Sequence, residues 1–104
     1  MDANITADGV IGNAVFNTNK DVIAIEASGT WDGAVVTLFK YMGTDLAPST
    51  DSAGWVSFAS ISADAIGSSG LAYNIGTDKY YYGSVASAGG STDVNIEVRP
   101  TDKF

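Results

Sequence analysis

Twelve acids and no histidine or cysteine bound the chemistry open to this chain. Without His it lacks the side chain most used for proton transfer near neutral pH, and the commonest metal ligand. Without Cys there are no disulfides and no thiolate metal sites. A Ser or Thr nucleophile needs an adjacent base, usually His. The lysines that could substitute, Lys20, Lys40, Lys79 and Lys103, are flanked by residues of exposed character. Glycoside hydrolysis needs two carboxyl groups held apart in a cleft. Glu26 and Glu97 instead fall in strand-like runs with their side chains outward, as solvated strand charges do. The other ten acids are single aspartates, most of them beside Gly, Ser, Thr or Asn, where aspartate forms turns. Calcium is the metal best matched to oxygen ligands. Asp45 and Asp51 share the 43–54 loop with Thr44, Ser49, Thr50 and Ser52, but without the alternating carboxylates of an EF-hand loop. That loop reads as polar and exposed. Gly67, Ser68, Ser69 and Gly70 are followed by neither Lys nor a helix, so they do not form a phosphate cradle. The expectation is no catalytic, metal or cofactor site, and a protein that is not an enzyme.

The aromatic residues leave more open. Trp31, Tyr41, Trp55, Tyr73, Tyr80, Tyr81 and Tyr82 can pack a core, cover a protein–protein interface or line a carbohydrate surface. Alternation in an extended chain sends Tyr80 and Tyr82 to one face and Tyr81 to the other. One of those faces exposes tyrosine unless something covers it.

The elements that position these side chains are strands. Helix-favouring residues are scarce, and runs rich in Val, Ile and aromatics recur between Gly, Asp, Asn and Ser clusters. Runs are expected at residues 3–7, 10–17, 21–28, 34–42, 55–60, 71–76, 79–87 and 92–99. A single helical turn capped by Ser62 is expected over 61–66. In the run after Trp31, Val36 and Leu38 share one face; Val35, Thr37, Phe39 and Tyr41 share the other. In the last run Val94, Ile96 and Val98 face inward, Asn95, Glu97 and Arg99 face outward, and Pro100 ends the strand. The count, about seven to eight strands in 104 residues, predicts an all-β chain folded as a single antiparallel β-sandwich, Ig-like or jelly-roll-like. Residues 1–9 form an N-terminal arm or short strand, 10–100 the sandwich domain and 101–104 a C-terminal tail.

Charge constrains partners. Five basic residues against twelve acids give a formal net charge of −7, with a pI near 4.1. Nucleic acid is therefore not an expected partner, because its binding depends on phosphate neutralisation. An acidic surface suits docking onto a basic one. No segment is apolar for long enough to cross a membrane as a helix, and the N-terminal residues lack the cationic and apolar regions of a signal peptide. The chain is expected to be made and kept in the cytoplasm unless it leaves inside a larger particle.

One stretch carries a resemblance. Gly29-Thr30-Trp31-Asp32-Gly33-Ala34 precedes Val36-Thr37-Leu38 and Tyr41; a polar loop leads to Gly54-Trp55-Val56; Gly76-Thr77-Asp78-Lys79-Tyr80 and the alternating residues 94–98 follow. This order resembles small structural proteins of tailed bacteriophages, in which a Gly-x-Trp-x-Gly corner precedes a strand, a loop and a second Trp. The resemblance spans residues 21–99. It departs from the group in the length of the loop containing Pro48, and in lacking the Arg that often follows the Gly-x-Tyr segment. It implies a non-enzymatic virion component, closest to the capsid decoration or cement proteins. Such a protein binds the outside of a shell of major capsid protein, is a homo-oligomer on the lattice and is made in the host cytoplasm. A tail, neck or fibre component, and a carbohydrate-binding or adhesin module, are the alternatives. Trp31 is expected to plug one end of the sandwich.

Overall fold

The computed structural model describes residues 1–67, 70–76 and 79–102. Ser68 and Ser69, Thr77 and Asp78 of the expected turn after Gly76, and the last two residues of the tail lie outside the described residues. Among the described residues nine strands form: β1 (Asp2–Ile5), β2 (Gly9–Val10), β3 (Phe16–Asn17), β4 (Val22–Thr30), β5 (Val35–Tyr41), β6 (Trp55–Ile61), β7 (Leu71–Asn74), β8 (Tyr80–Ala86) and β9 (Asp93–Thr101). They make two antiparallel sheets. One has the order β1-β9-β4-β7; the other has β2-β8-β5-β6, with β3 also paired to β8. β2 and β3 lie along the same side of β8, so they act as one interrupted strand. Counted that way, eight strands are arranged in the order of a jelly roll, with each sheet taking strands from both halves of the chain.

The core lies between the sheets and follows the alternation of the strands. Ile23, Ile25 and Ala27 of β4 and Val94, Ile96 and Val98 of β9 meet Val36 and Leu38 of β5, Ile61 of β6, and Tyr81 and Val85 of β8. At roughly 25 cal/mol per Å² of apolar surface, this burial is the main stabilising term. Phe58 of β6 and Tyr73 of β7 close one side of the sandwich edge to face, with ring centroids 5.9 Å apart.

Four local features depart from the alternation. The run expected over 10–17 is broken by a 3-10 turn at Ile11–Asn13, in which Gly12 and Asn13 both take positive φ. Ile11 is thereby turned into the core. The helical turn expected over 61–66 does not form. Instead Ala65 pairs with Ala27, each donating its N–H to the other's carbonyl at 2.8 Å. A bulge in the β5–β6 ladder sets Ala59 opposite Leu38 and Ser57 opposite Phe39. The extra residue, Phe58, reverses the phase, so Ala59 faces inward with Ile61. Finally, β9 runs through Pro100 to Thr101. The Val98 N–H bonds Met1 O on the β1 side. The nitrogen of Pro100, two residues on, faces the same side beyond the end of β1, so its missing N–H leaves the ladder intact.

Candidate interaction surface

Two ends and two outer faces remain once the core is filled. The end built from the β1–β2, β4–β5, β6–β7 and β8–β9 connections is laced together by aspartates. Asp8 Oδ1 accepts from the Ala88 N–H at 2.8 Å, and Asp32 Oδ2 from Ser91 at 2.9 Å. Asp64 Oδ1 accepts from the Trp31 indole N–H at 2.8 Å and from the Gly29 N–H at 3.1 Å. Trp31 is half-buried against the core, and its carbonyl accepts from the Thr92 hydroxyl at 3.0 Å. It caps this end. The turn after it closes through Ala34 N–H to Trp31 O at 2.8 Å, with Asp32 and Gly33 both at positive φ. Three aspartates that sequence reasoning assigned to local turns thus tie distant loops together. Nothing in their own flanking residues distinguishes the two uses.

The opposite end carries the feature that sequence reasoning left unresolved. On the outer face of the β2-β8-β5-β6 sheet, five rings from three strands are in continuous contact. Phe39 stacks on Tyr82 at 4.9 Å, and Tyr82 meets Trp55 edge-on at 4.7 Å. Trp55 meets Tyr41 at 4.9 Å, and Tyr41 meets Tyr80 at 6.3 Å. The cover these rings require is the chain's own 43–54 loop. The Trp55 indole N–H donates to Ser49 O at 2.9 Å, the Tyr80 hydroxyl to Leu46 O at 2.9 Å, and the Asp45 N–H to the Tyr41 hydroxyl at 2.9 Å. The Met42 N–H bonds Gly54 O at 2.8 Å across the neck, and Pro48 is buried. Tyr41 and Tyr82 are left only 8% and 9% exposed, and Tyr81 packs between the sheets. Burial raises the Tyr81 and Tyr82 hydroxyl pKa values, and the Asp51 carboxylate raises that of Tyr82 further.

Two features of the clasp bear on its chemistry. The loop's polar atoms serve its own fold: Ser49 N–H donates to Ser52 Oγ at 3.0 Å, and Asp51 N–H to Ser49 Oγ at 3.3 Å. Among the described residues no group of three or more acids is placed to hold a metal ion. Only Phe39 and Tyr82 are near parallel, at 18°; the other pairs are steeply tilted, with interplanar angles of 55°, 80° and 90° for Tyr41–Trp55, Tyr41–Tyr80 and Trp55–Tyr82. A flat platform for stacking sugars is not what they build.

The clasp exposes Thr44, Asp45, Ser49 and Asp51, and among them two large apolar side chains. Leu46 is 93% exposed at the loop tip, and Met42 is 60% exposed at its neck. A groove beside them is lined by Tyr41, Gly43, Thr44, Asp45, Lys79 and Tyr80.

The outer face of the other sheet is acidic. Asp2 of β1 is opposite Glu97 of β9, which is opposite Glu26 of β4. The strand register therefore gathers three acids widely separated in sequence into one row, lining a shallow groove with Asn4, Ser28 and Asn95. Glu97 is engaged by Arg99 at 2.9 Å. Like charges directly opposite one another on a sheet are destabilising, so the row costs stability. No protein-family model, no curated protein and no solved structure matches this chain.

Proposed function

We propose that this protein is a non-enzymatic virion component that binds the outer surface of a shell of major capsid protein and stabilises it, as a decoration protein does. The observation that carries the reading is the clasped loop, which holds the 93% exposed Leu46 and the 60% exposed Met42 at one end of a stiff sandwich. An aliphatic side chain held almost wholly in water has apolar surface to bury when a partner docks. Because three aromatic side chains hydrogen-bond the loop beneath it, docking orders little further chain. The acidic row of Asp2, Glu97 and Glu26 gives the same molecule a face that complements a basic surface. Each contact is small, and repetition around a lattice multiplies them. Jelly rolls serve viral capsid and lectin domains alike, so the fold does not choose between them. The tilted, loop-covered rings favour attachment to protein over stacking on sugar.

The test is to mix the protein with empty shells that lack any decoration and to measure co-sedimentation and shell melting. Binding with a rise in shell melting temperature is expected, and Leu46→Asp, which stays folded, weakens both. Absence of binding at micromolar shell subunit, with no change in melting, rejects the proposal.

A further inference from the structure

An aspartate can rearrange its own backbone when the main-chain nitrogen of the next residue attacks the side-chain carboxyl carbon. A side chain on that next residue obstructs the attack, and glycine has none. In this chain no asparagine precedes glycine; among the ten aspartates, Asp8 and Asp32 do. Both aspartates are exposed, so exposure does not separate them. Their backbones do.

Asp32 and Gly33 are the central residues of the turn between β4 and β5. Their φ values, +44° and +86°, and the 2.8 Å bond from Ala34 N–H to Trp31 O make it a type I′ turn. Such a turn holds ψ of its first central residue near about +30°. The Gly33 nitrogen then nearly eclipses Asp32's own nitrogen and points away from its Cβ, so a five-membered ring through the side chain cannot close while the turn is intact. The Asp32 carbonyl also accepts from the Gly89 N–H at 3.0 Å, and Oδ2 from the Ser91 N–H at 2.9 Å. The turn joins β4 and β5, each paired on both sides. Asp8 is held differently. Its φ is outside the positive region, and it precedes β2, a two-residue strand at the end of its sheet. The Ala88 N–H ties its side chain through Oδ1 at 2.8 Å. A Cβ added at Gly9 would meet nothing within 4 Å, so the space around that residue is open. A short strand at a sheet's end opens locally at little cost.

We infer that Asp8 is a site of spontaneous isomerisation to isoaspartate, and that the turn shields Asp32 from the same reaction. The Gly9 nitrogen bonds Asp8 Cγ as one Cγ–O bond breaks. The departing oxygen leaves as water, taking the amide hydrogen and a proton from solvent; no electrons pass to or from a co-reactant. Water then opens the succinimide ring. Opening at the side-chain carbonyl restores aspartate. Opening at the main-chain carbonyl gives isoaspartate, in which the main chain runs through Cβ and Cγ. The added methylene displaces the carboxylate from Ala88 and shifts β2 against Val85 and Ser84 of β8. This inference is independent of the capsid reading and stands or falls without it.

The test incubates the unaltered protein for weeks at physiological temperature and neutral pH, with a second sample in urea. Methyl transfer by an isoaspartyl methyltransferase counts the product, and peptide fragmentation by electron transfer locates it. In the folded protein isoaspartate is expected at residue 8 in about tenfold excess over residue 32, because the two positions differ in local opening. In urea, where neither position keeps its structure, the two should form it at rates within about threefold of each other. Equal accumulation at both positions of the folded protein overturns the inference. So does product at residue 8 in urea with none in the folded protein. An excess at residue 8 that is as large in urea as in the folded protein also overturns it, because flanking sequence and not the turn would then set the difference.

Discussion

Removing the two tyrosine hydroxyls that touch the 43–54 loop should release it without disturbing the rings beneath. In Tyr41→Phe the Asp45 N–H loses its partly buried acceptor, and in Tyr80→Phe the Leu46 carbonyl loses its donor. A net hydrogen bond contributes ~0.5–1.5 kcal/mol, and a polar group left unpaired in a partly buried position costs more. Together the two changes are expected to destabilise the closed loop by about 2 kcal/mol. The aromatic contacts persist, because phenylalanine keeps the ring. Amide exchange in residues 44–52 should then accelerate by about 30-fold, at roughly tenfold per 1.4 kcal/mol. The midpoint of thermal unfolding should fall by about 8–16 °C, since ~1 kcal/mol shifts a domain of this size by ~4–8 °C. The opposite end is an internal control: amides at 62–66 and 88–92 that exchange by local opening keep their rates. Loop exchange within twofold of the unaltered protein would refute the clasp, as would equal acceleration at both ends.

Gly29→Ala should destabilise by about 4 kcal/mol by urea titration, because Gly29 has φ +145° and an added Cβ would lie 2.1 Å from the Asp93 carbonyl oxygen and 2.9 Å from Val94 Cα; strain at such a site and overpacking each cost ~1–3 kcal/mol. Trp31→Ala is expected to cost about 2 kcal/mol, less than the ~3–5 of a fully buried Trp, because Trp31 is half-buried and its indole N–H bonds an exposed carboxylate; the same titration measures it. Glu26→Gln should stabilise by about 0.5 kcal/mol, more in low salt than in high, by relieving its opposition to Glu97. Tyr81 and Tyr82 both ionise above the ordinary tyrosine range when folded. The unfolded chain therefore releases these protons first as pH rises. The stability they confer is complete below about pH 10 and falls above it, by about 1.4 kcal/mol per unit for each tyrosine until the folded pKa is reached; ultraviolet absorbance of tyrosinate, followed with Tyr81→Phe and Tyr82→Phe, should show each ionising at higher pH in the folded protein than in the unfolded chain.

The strands were legible wherever one face is buried. In β9 the alternation of Val and Ile with polar residues set both the element and its inward face; in β5 it set which residues share a face, and in β4 and β8 the element, because period two is all that a half-buried strand requires. Val94, Ile96 and Val98 are buried as that pattern demands. Features decided by tertiary partners were hidden. The bulge at Phe58 depends on how β6 meets β5, and the Ala65 bridge on where Ala27 lies. Pro100 stays in its strand because β1 happens to end before reaching it. The acidic row exists only in the register of β1, β9 and β4. For the same reason the 43–54 loop read as an exposed polar segment, although three of its backbone groups bond aromatic side chains of β5, β6 and β8. Those rings gave the only warning: three consecutive tyrosines had to place at least one ring on an outer face, and so needed a cover.

Electron cryomicroscopy of empty shells incubated with the protein tests the central claim most directly. Repeated density is expected on the outer shell surface, matching a body of 38 × 31 × 17 Å, with the Leu46 end against the capsid protein and Trp31 pointing away. Shells that remain bare at saturating protein would contradict it, as would density seated through the Trp31 end.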